Sequence, residues 1–177
     1  MGWYAKSNVL SMARKFDLTT LKPAQIRRIR ALATLTEAQL ARFLDFVTFL
    51  PCQQNDIIVR EGEDAHSMFL ILEGEVRIVT EKKPGRPYFL RSLAPGDSFG
   101  EIALFDGGRR SATVEAAKDS LLLEFTDQNF KKLLAEEPVL ANQFLLRVSI
   151  GIGSHLRDLT KRLARDMALR EAIRYIP

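Results

Sequence analysis

From Cys52 to Phe125 the sequence is cut into short apolar runs by turn-forming residues, and no other feature limits the possible folds as much. Ile57-Ile58-Val59 is a β-branched run closed by Glu61-Gly62-Glu63-Asp64, and Met68 to Leu72 is a continuous apolar run closed by Glu73-Gly74-Glu75. Val76-Arg77-Ile78-Val79 alternates apolar with polar. Lys82 to Pro87 reads as a loop, and Tyr88 to Leu93 returns as a hairpin partner before the turn Ala94-Pro95-Gly96-Asp97. Thr113 to Ala116 and Leu121 to Phe125 complete the set. Short strands with turn signals at about 8–12-residue intervals predict a small antiparallel barrel or jelly roll.

On both sides of this region the apolar spacing becomes helical. Thr36-Glu37-Ala38-Gln39 has the form of a capping box, opening a helix with Leu40, Phe43, Leu44 and Val47 on one stripe and Pro51 just past its end. Upstream, Pro23 opens a run, Ala24 to Ala33, with Ile26, Ile29 and Leu32/Ala33 on one face and Arg27, Arg28 and Arg30 mostly on the other. Residues 1–20, with Trp3, Tyr4, Val9, Leu10 and Met12 among Lys6, Arg14 and Lys15, form a weakly amphipathic arm or helix. Downstream, Thr126 caps a helix from Asp127 to Glu136, and Pro138 begins another whose apolar face is Val139, Leu140, Phe144, Leu145 and Val148. Gly151 and Gly153 predict a weak point or hinge there. From the residue between them onward, Ile152, Leu156, Leu159 and Leu163 form a seam that packs on the roll or on a second copy. The expected class is α+β: an antiparallel β-roll or jelly roll flanked by N-terminal and C-terminal helices. Its divisions are 1–50 helical, 51–126 the roll, and 127–177 lid or dimerisation helices.

The stretch Phe99 to Thr113, Phe-Gly-Glu-Ile-Ala-Leu-Phe-Asp-Gly-Gly-Arg-Arg-Ser-Ala-Thr, interrupts the strand pattern. Glycines surround one apolar helical turn, too short to bury much surface alone. The first N–H groups of such a turn lack intrahelical partners, and a glycine beside them permits close approach of an anion. Arg110 supplies a planar charged fork for the same anion. Glu101 repels a phosphate and so needs another task, such as accepting a sugar hydroxyl. The pair describes a ribose phosphate ligand.

This pattern resembles the phosphate-binding cassette of the cyclic-nucleotide-binding domain family. The elements are Phe99-Gly100-Glu101, then Ile102-Ala103-Leu104, then Arg110-Ser111-Ala112-Thr113. The turns Glu73-Gly74-Glu75 and Pro95-Gly96-Asp97-Ser98 extend the likeness across residues 36–150. Arg109 departs from it, standing where many members have proline. The resemblance implies that Glu101 takes the ribose 2′-hydroxyl and Arg110 the cyclic phosphate. Gly100, Ile102, Ala103, Ser111 and Ala112 would assist at the phosphate. It further implies a base slot between the roll and the last helix, with Leu72 and Leu93 as walls and His155 at the base edge. The ligand would be cyclic AMP, with cyclic GMP as the alternative.

The remaining composition narrows the function classes. A single cysteine, Cys52, excludes an intrachain disulfide framework and reads as a half-buried thiol. Two histidines, His66 and His155, have no partners at metal-ligand spacing, so neither metal nor cofactor is expected. No apolar run approaches the ~20 residues of a membrane-spanning helix, and the N-terminus lacks a signal-peptide core, which makes the cytoplasm the expected location. A net charge of +4 permits nucleic-acid contact without requiring it. No nucleophile–base pair or paired carboxylates appear, so catalysis is not expected. The expectation is a ligand sensor that relays a movement of its C-terminal helices to an unknown protein effector or to a second subunit in a homodimer. The alternatives are a ligand-free interaction domain of the same fold, or the sensor part of a transcription regulator whose DNA-binding domain is absent. No recognition helix follows the last helix up to Pro177.

Overall fold

The computed structural model describes residues 22–83 and 86–173. The N-terminal arm and residues 84–85 lie outside the described residues, and the loop expected over Lys82–Pro87 is replaced by strand at Lys82, Lys83, Arg86 and Pro87. Among the described residues eight strands form two four-stranded antiparallel sheets. The strands are β1 Thr48–Cys52, β2 Ile57–Val59, β3 Ser67–Glu73, β4 Val76–Lys83, β5 Arg86–Leu93, β6 Ser98–Phe99, β7 Thr113–Ala116 and β8 Ser120–Thr126. One sheet has the order β1-β8-β3-β6 and the other β2-β7-β4-β5. Helices α1 Pro23–Ile26 and α2 Glu37–Leu44 precede the roll, α3 Glu101–Asp106 interrupts it, and α4 Asp127–Glu136 and α5 Pro138–Ile173 follow. The architecture is the helix-flanked β-roll that the turn spacing implied.

Strand alternation separates two apolar cores. Met68, Leu70 and Leu72 of β3 and Leu121, Leu123 and Phe125 of β8 face the helices, where they meet Leu40, Phe43, Leu133 and Phe144. Phe69, Ile71 and Leu122 point the other way and fill the roll with Val76, Ile78, Val114 and Phe99. Phe43, Phe125 and Phe144 lock the helical core, with ring centroids 5.1–5.3 Å apart and tilted or edge-on planes. The capping box forms as read: Thr36 Oγ1 accepts from the Gln39 N–H, and Gln39 Oε1 accepts from the Thr36 N–H at 2.9 Å. Thr126 likewise caps α4 by accepting from the Asn129 N–H.

Four further local expectations are corrected. Helix α2 ends at Leu44, and Pro51 lies inside β1 opposite Leu121. As β1 is a sheet edge, the missing N–H of Pro51 is tolerated there. The run Ala24 to Ala33 breaks into α1 and a 3₁₀ turn, Arg30–Leu32, because Ile29 is extended (ψ 115°). Ile26, Ile29 and Leu32 are still all buried. Helix α5 runs unbroken through Gly151 and Gly153. The two glycines lower local helix stability by about 1 kcal/mol each, but Ile152 between them packs on the helical core and holds the register. Cys52 is fully buried, and burial pushes its thiol up to about 12, so it remains protonated and unreactive at neutral pH.

Candidate functional site

The cassette sits where β6 hands the chain to α3. Gly100 makes that corner at φ +80°, a conformation that L side chains rarely adopt. A Cβ at this position would come within 2.5 Å of Arg110 Nη1 and 3.1 Å of the Ser67 carbonyl oxygen, so only glycine lets the guanidinium lie against the corner. Glu101 opens α3 and is buried, accepting a hydrogen bond from Ser98 Oγ. The apolar side of α3 turns inward through Leu104, while Ile102 stays 61% exposed.

Arg110 arrives from the far side of the loop. Its backbone is clamped to the turn before β3: the Arg110 N–H donates to the Glu63 carbonyl, and its own carbonyl accepts from Gly62 N–H. The side chain is only 8% exposed. Its Nη2 donates to Ser67 Oγ at 3.2 Å, and its Cζ lies 5.6 Å from the Phe69 ring centroid. Nη1 is buried with no hydrogen-bond partner. Burial lowers the guanidinium pKa from its ordinary value, and the charges of Glu124 and Glu63 act in the opposite direction. An arginine stays charged across the neutral range, so the site holds a buried cation with an unfilled donor.

These groups open into a cavity of about 560 Å³ between the roll and the middle of α5. Ligand pockets of drug-sized molecules span roughly 300–1,000 Å³. Of the residues singled out in the sequence, Gly100, Glu101, Ile102, Arg110, Ser111, Ala112 and His155 line this cavity. Ala103 lies within α3. Leu72 and Leu93 are not in the lining. Leu72 has the parity of β3 that faces the helical core. Leu93 is inside the roll but pairs with Val76, one alternation further along the hairpin than the Ile78–Arg91 pair that does reach the cavity. The apolar walls are instead Val59, Ile78, Leu90 and Val114, and α5 adds Ile152, Leu156, Leu159 and Leu163 with the charged Asp158 and Arg162. Alternation along β3 could have flagged Leu72. The choice among interior residues of β4, β5 and β7 needed the hairpin register.

Among the described residues no cluster of three or more His, Cys, Asp or Glu could hold a metal ion, and no helix is long and apolar enough to cross a membrane.

A β-roll with a buried cation and a buried carboxylate at one short helix defines a ligand-binding domain, and the comparisons give its class. Residues 50–137 match the family model described as Cyclic nucleotide-binding domain, and the chain carries a domain of that family. In three dimensions it resembles a cyclic nucleotide-binding domain from Methylobacillus flagellatus, with a TM-score of 0.73 at 20% identity, covering 87% of this chain and 85% of that one. In sequence it is 24% identical over 163 residues to Lysophospholipase nte1 of Aspergillus terreus, covering 92% of this chain and 10% of that protein. It is 25% identical over 108 residues to the cAMP-activated global transcriptional regulator CRP of Pasteurella multocida, covering 60% of this chain and 50% of the regulator. The chain thus spans half or less of these sequence relatives.

Proposed function

We propose that this protein is a cyclic-nucleotide sensor without catalytic activity of its own. The observation that carries the reading is Arg110: a buried arginine whose Nη1 has no hydrogen-bond partner, lining the same cavity as the buried carboxylate of Glu101. Nη1 takes an oxygen of the cyclic phosphate, which removes the unfilled donor. Gly100 and the backbone of Ile102, Ala103, Ser111 and Ala112 surround the same phosphate. Glu101, already fixed by Ser98, accepts the ribose 2′-hydroxyl, a task for which an acceptor-only group is suited. The purine lies between the wall of Val59, Ile78 and Val114 and the α5 residues Leu156 and Leu159, with His155 at its edge. Cyclic AMP is the favoured ligand and cyclic GMP the alternative; the CRP relative is named as cAMP-activated.

Ligand touching both the roll and α5 favours the arrangement in which the helix covers the base, by the ligand's differential affinity for the two arrangements. Phe105 of α3 meets Phe130 of α4 edge-on at 6.1 Å, and Phe130 meets Phe125, which packs on Phe144 of α5. Movement of the cassette helix therefore has a packed route to the C-terminal helices. The output is a cytoplasmic protein effector or a second copy engaged through α5.

Calorimetric titration with cyclic AMP and cyclic GMP tests this. Saturable binding, with the ratio between nucleotides fixing the base, supports the sensor. No heat and no thermal shift with either nucleotide would overturn it in favour of a ligand-free interaction domain.

A further inference from the structure

Arg110 lines the cavity with its Nη1 buried and unpartnered beside Gly100, and something must hold the other end of the guanidinium. Two residues of β3 do so. Ser67 Oγ accepts from Nη2 at 3.2 Å, and the Phe69 ring covers Cζ at 5.6 Å. Ser67 is itself 7% exposed, one of the few buried polar side chains among the described residues, and it lies outside the cavity lining. A buried hydroxyl at the end of an apolar strand carries a desolvation cost unless it is bonded. Its partner here is the buried guanidinium of Arg110.

The chemistry of the partner matters as much as its position. A carboxylate on Nη2 would form a charge-assisted pair and neutralise the guanidinium before any ligand arrived. A hydroxyl bonds without neutralising. Gly100 then leaves Nη1 room on the opposite side. We infer that Ser67 is a positioning residue for Arg110: it fixes Nη2 with a neutral acceptor, so that Nη1 and the full positive charge remain directed at the anion. The inference rests on the cyclic-nucleotide reading for its binding arm and stands apart from it in its spectroscopic arm.

The experiment uses the full chain with Ser67→Ala, Ser67→Thr and Ser67→Asp. In the spectroscopic arm the arginine side-chain N–H resonances are recorded without ligand, Arg110 being assigned by its loss in Arg110→Lys. The wild type and Ser67→Thr are expected to show a distinct, exchange-protected Nη signal, which Ser67→Ala loses. In the binding arm Ser67→Ala weakens cyclic AMP by about tenfold, the size expected for one hydrogen bond to a charged group. Ser67→Thr binds within about twofold of wild type, since it restores the hydroxyl. Ser67→Asp binds more weakly than Ser67→Ala yet melts no lower than it, because the ion pair satisfies Arg110 at the ligand's expense. An unchanged Arg110 signal in Ser67→Ala, or a Ser67→Thr variant as impaired as Ser67→Ala, would overturn the assignment. A wild type that binds neither nucleotide, with the Arg110 signal still dependent on the Ser67 hydroxyl, would sink the ligand reading and leave the positioning role standing.

Discussion

On the roll side of the cavity Glu101 and Arg110 are each about nine-tenths buried and bonded to neighbouring side chains, whereas on the helix side Leu156, Leu159 and Leu163 are each more than half exposed. The first wall is assembled by long-range strand pairing: Ser67, Gly100 and Arg110 come from three separate parts of the chain. The second wall is a single helix whose far half makes few contacts with the body. In the proposed sensor, the geometry that must be accurate sits on the paired strands, and the surface proposed to respond sits on the element with little packing to lose.

The largest expected effect breaks the roll side. Removing one partner of a buried charged contact typically costs ~2–5 kcal/mol, so Arg110→Ala should weaken cyclic-nucleotide binding by roughly 30- to several-thousand-fold. Stability should fall little, or rise, because the variant also removes an unsatisfied buried donor. Titration beside a thermal melt reads both quantities. Undiminished affinity would show that the phosphate is held elsewhere.

Gly100→Ala should be next. It forces an L residue into φ +80° and a methyl against Arg110 Nη1, so a loss of about 1–2 kcal/mol in stability is expected, together with impaired binding. Chemical denaturation measures the first. A fully stable Gly100→Ala chain that binds normally would mean the corner is looser than described.

How much of this contrast was legible in the sequence follows from its physical origin. Glu101 and Arg110 announced themselves because a short glycine-bounded turn places charge chemistry at fixed spacing. Ser67 did not, since its role depends on β3 lying beside the cassette, and no local pattern records that pairing. The helices at 36 and 126 were readable from caps, which are local. Strand β1 was not, because Val47 and Leu50 fit a continuing helical stripe as well as an edge strand, and only pairing with β8 decides between them. Gly151 and Gly153 misled for the opposite reason: propensity is local, and the packing of Ile152 overrides it.

Those two glycines sharpen the helix side. A Cβ at Gly151 would meet nothing within 4 Å, and one at Gly153 only the tip of Arg157 at 3.6 Å, so neither position needs glycine for space. Gly151→Ala and Gly153→Ala should each stabilise the chain by about 1 kcal/mol, as expected for a helix interior. If α5 moves as one rigid rod, nucleotide affinity stays within about twofold of wild type in both. If it bends at Ile152, the stiffened helix shifts the balance between arrangements and affinity changes beyond that range.

The smallest effect on folding should come from Leu159→Ser, and it isolates the second wall. Leu159 lines the cavity from α5 yet is 54% exposed, so little apolar surface is lost from the body when it is replaced. Stability should stay within about 0.5 kcal/mol of wild type, the range for surface substitutions away from special contacts. Affinity should nevertheless fall by roughly 1 kcal/mol, about fivefold, if a purine buries this side chain on binding. An affinity loss without a stability loss is the signature of a wall completed only when ligand arrives. Equal losses in both would place Leu159 in the body of the fold, and the helix would then be as preformed as the roll. No loss in either would leave the base resting on the roll alone, and α5 would have no means of sensing which nucleotide is bound.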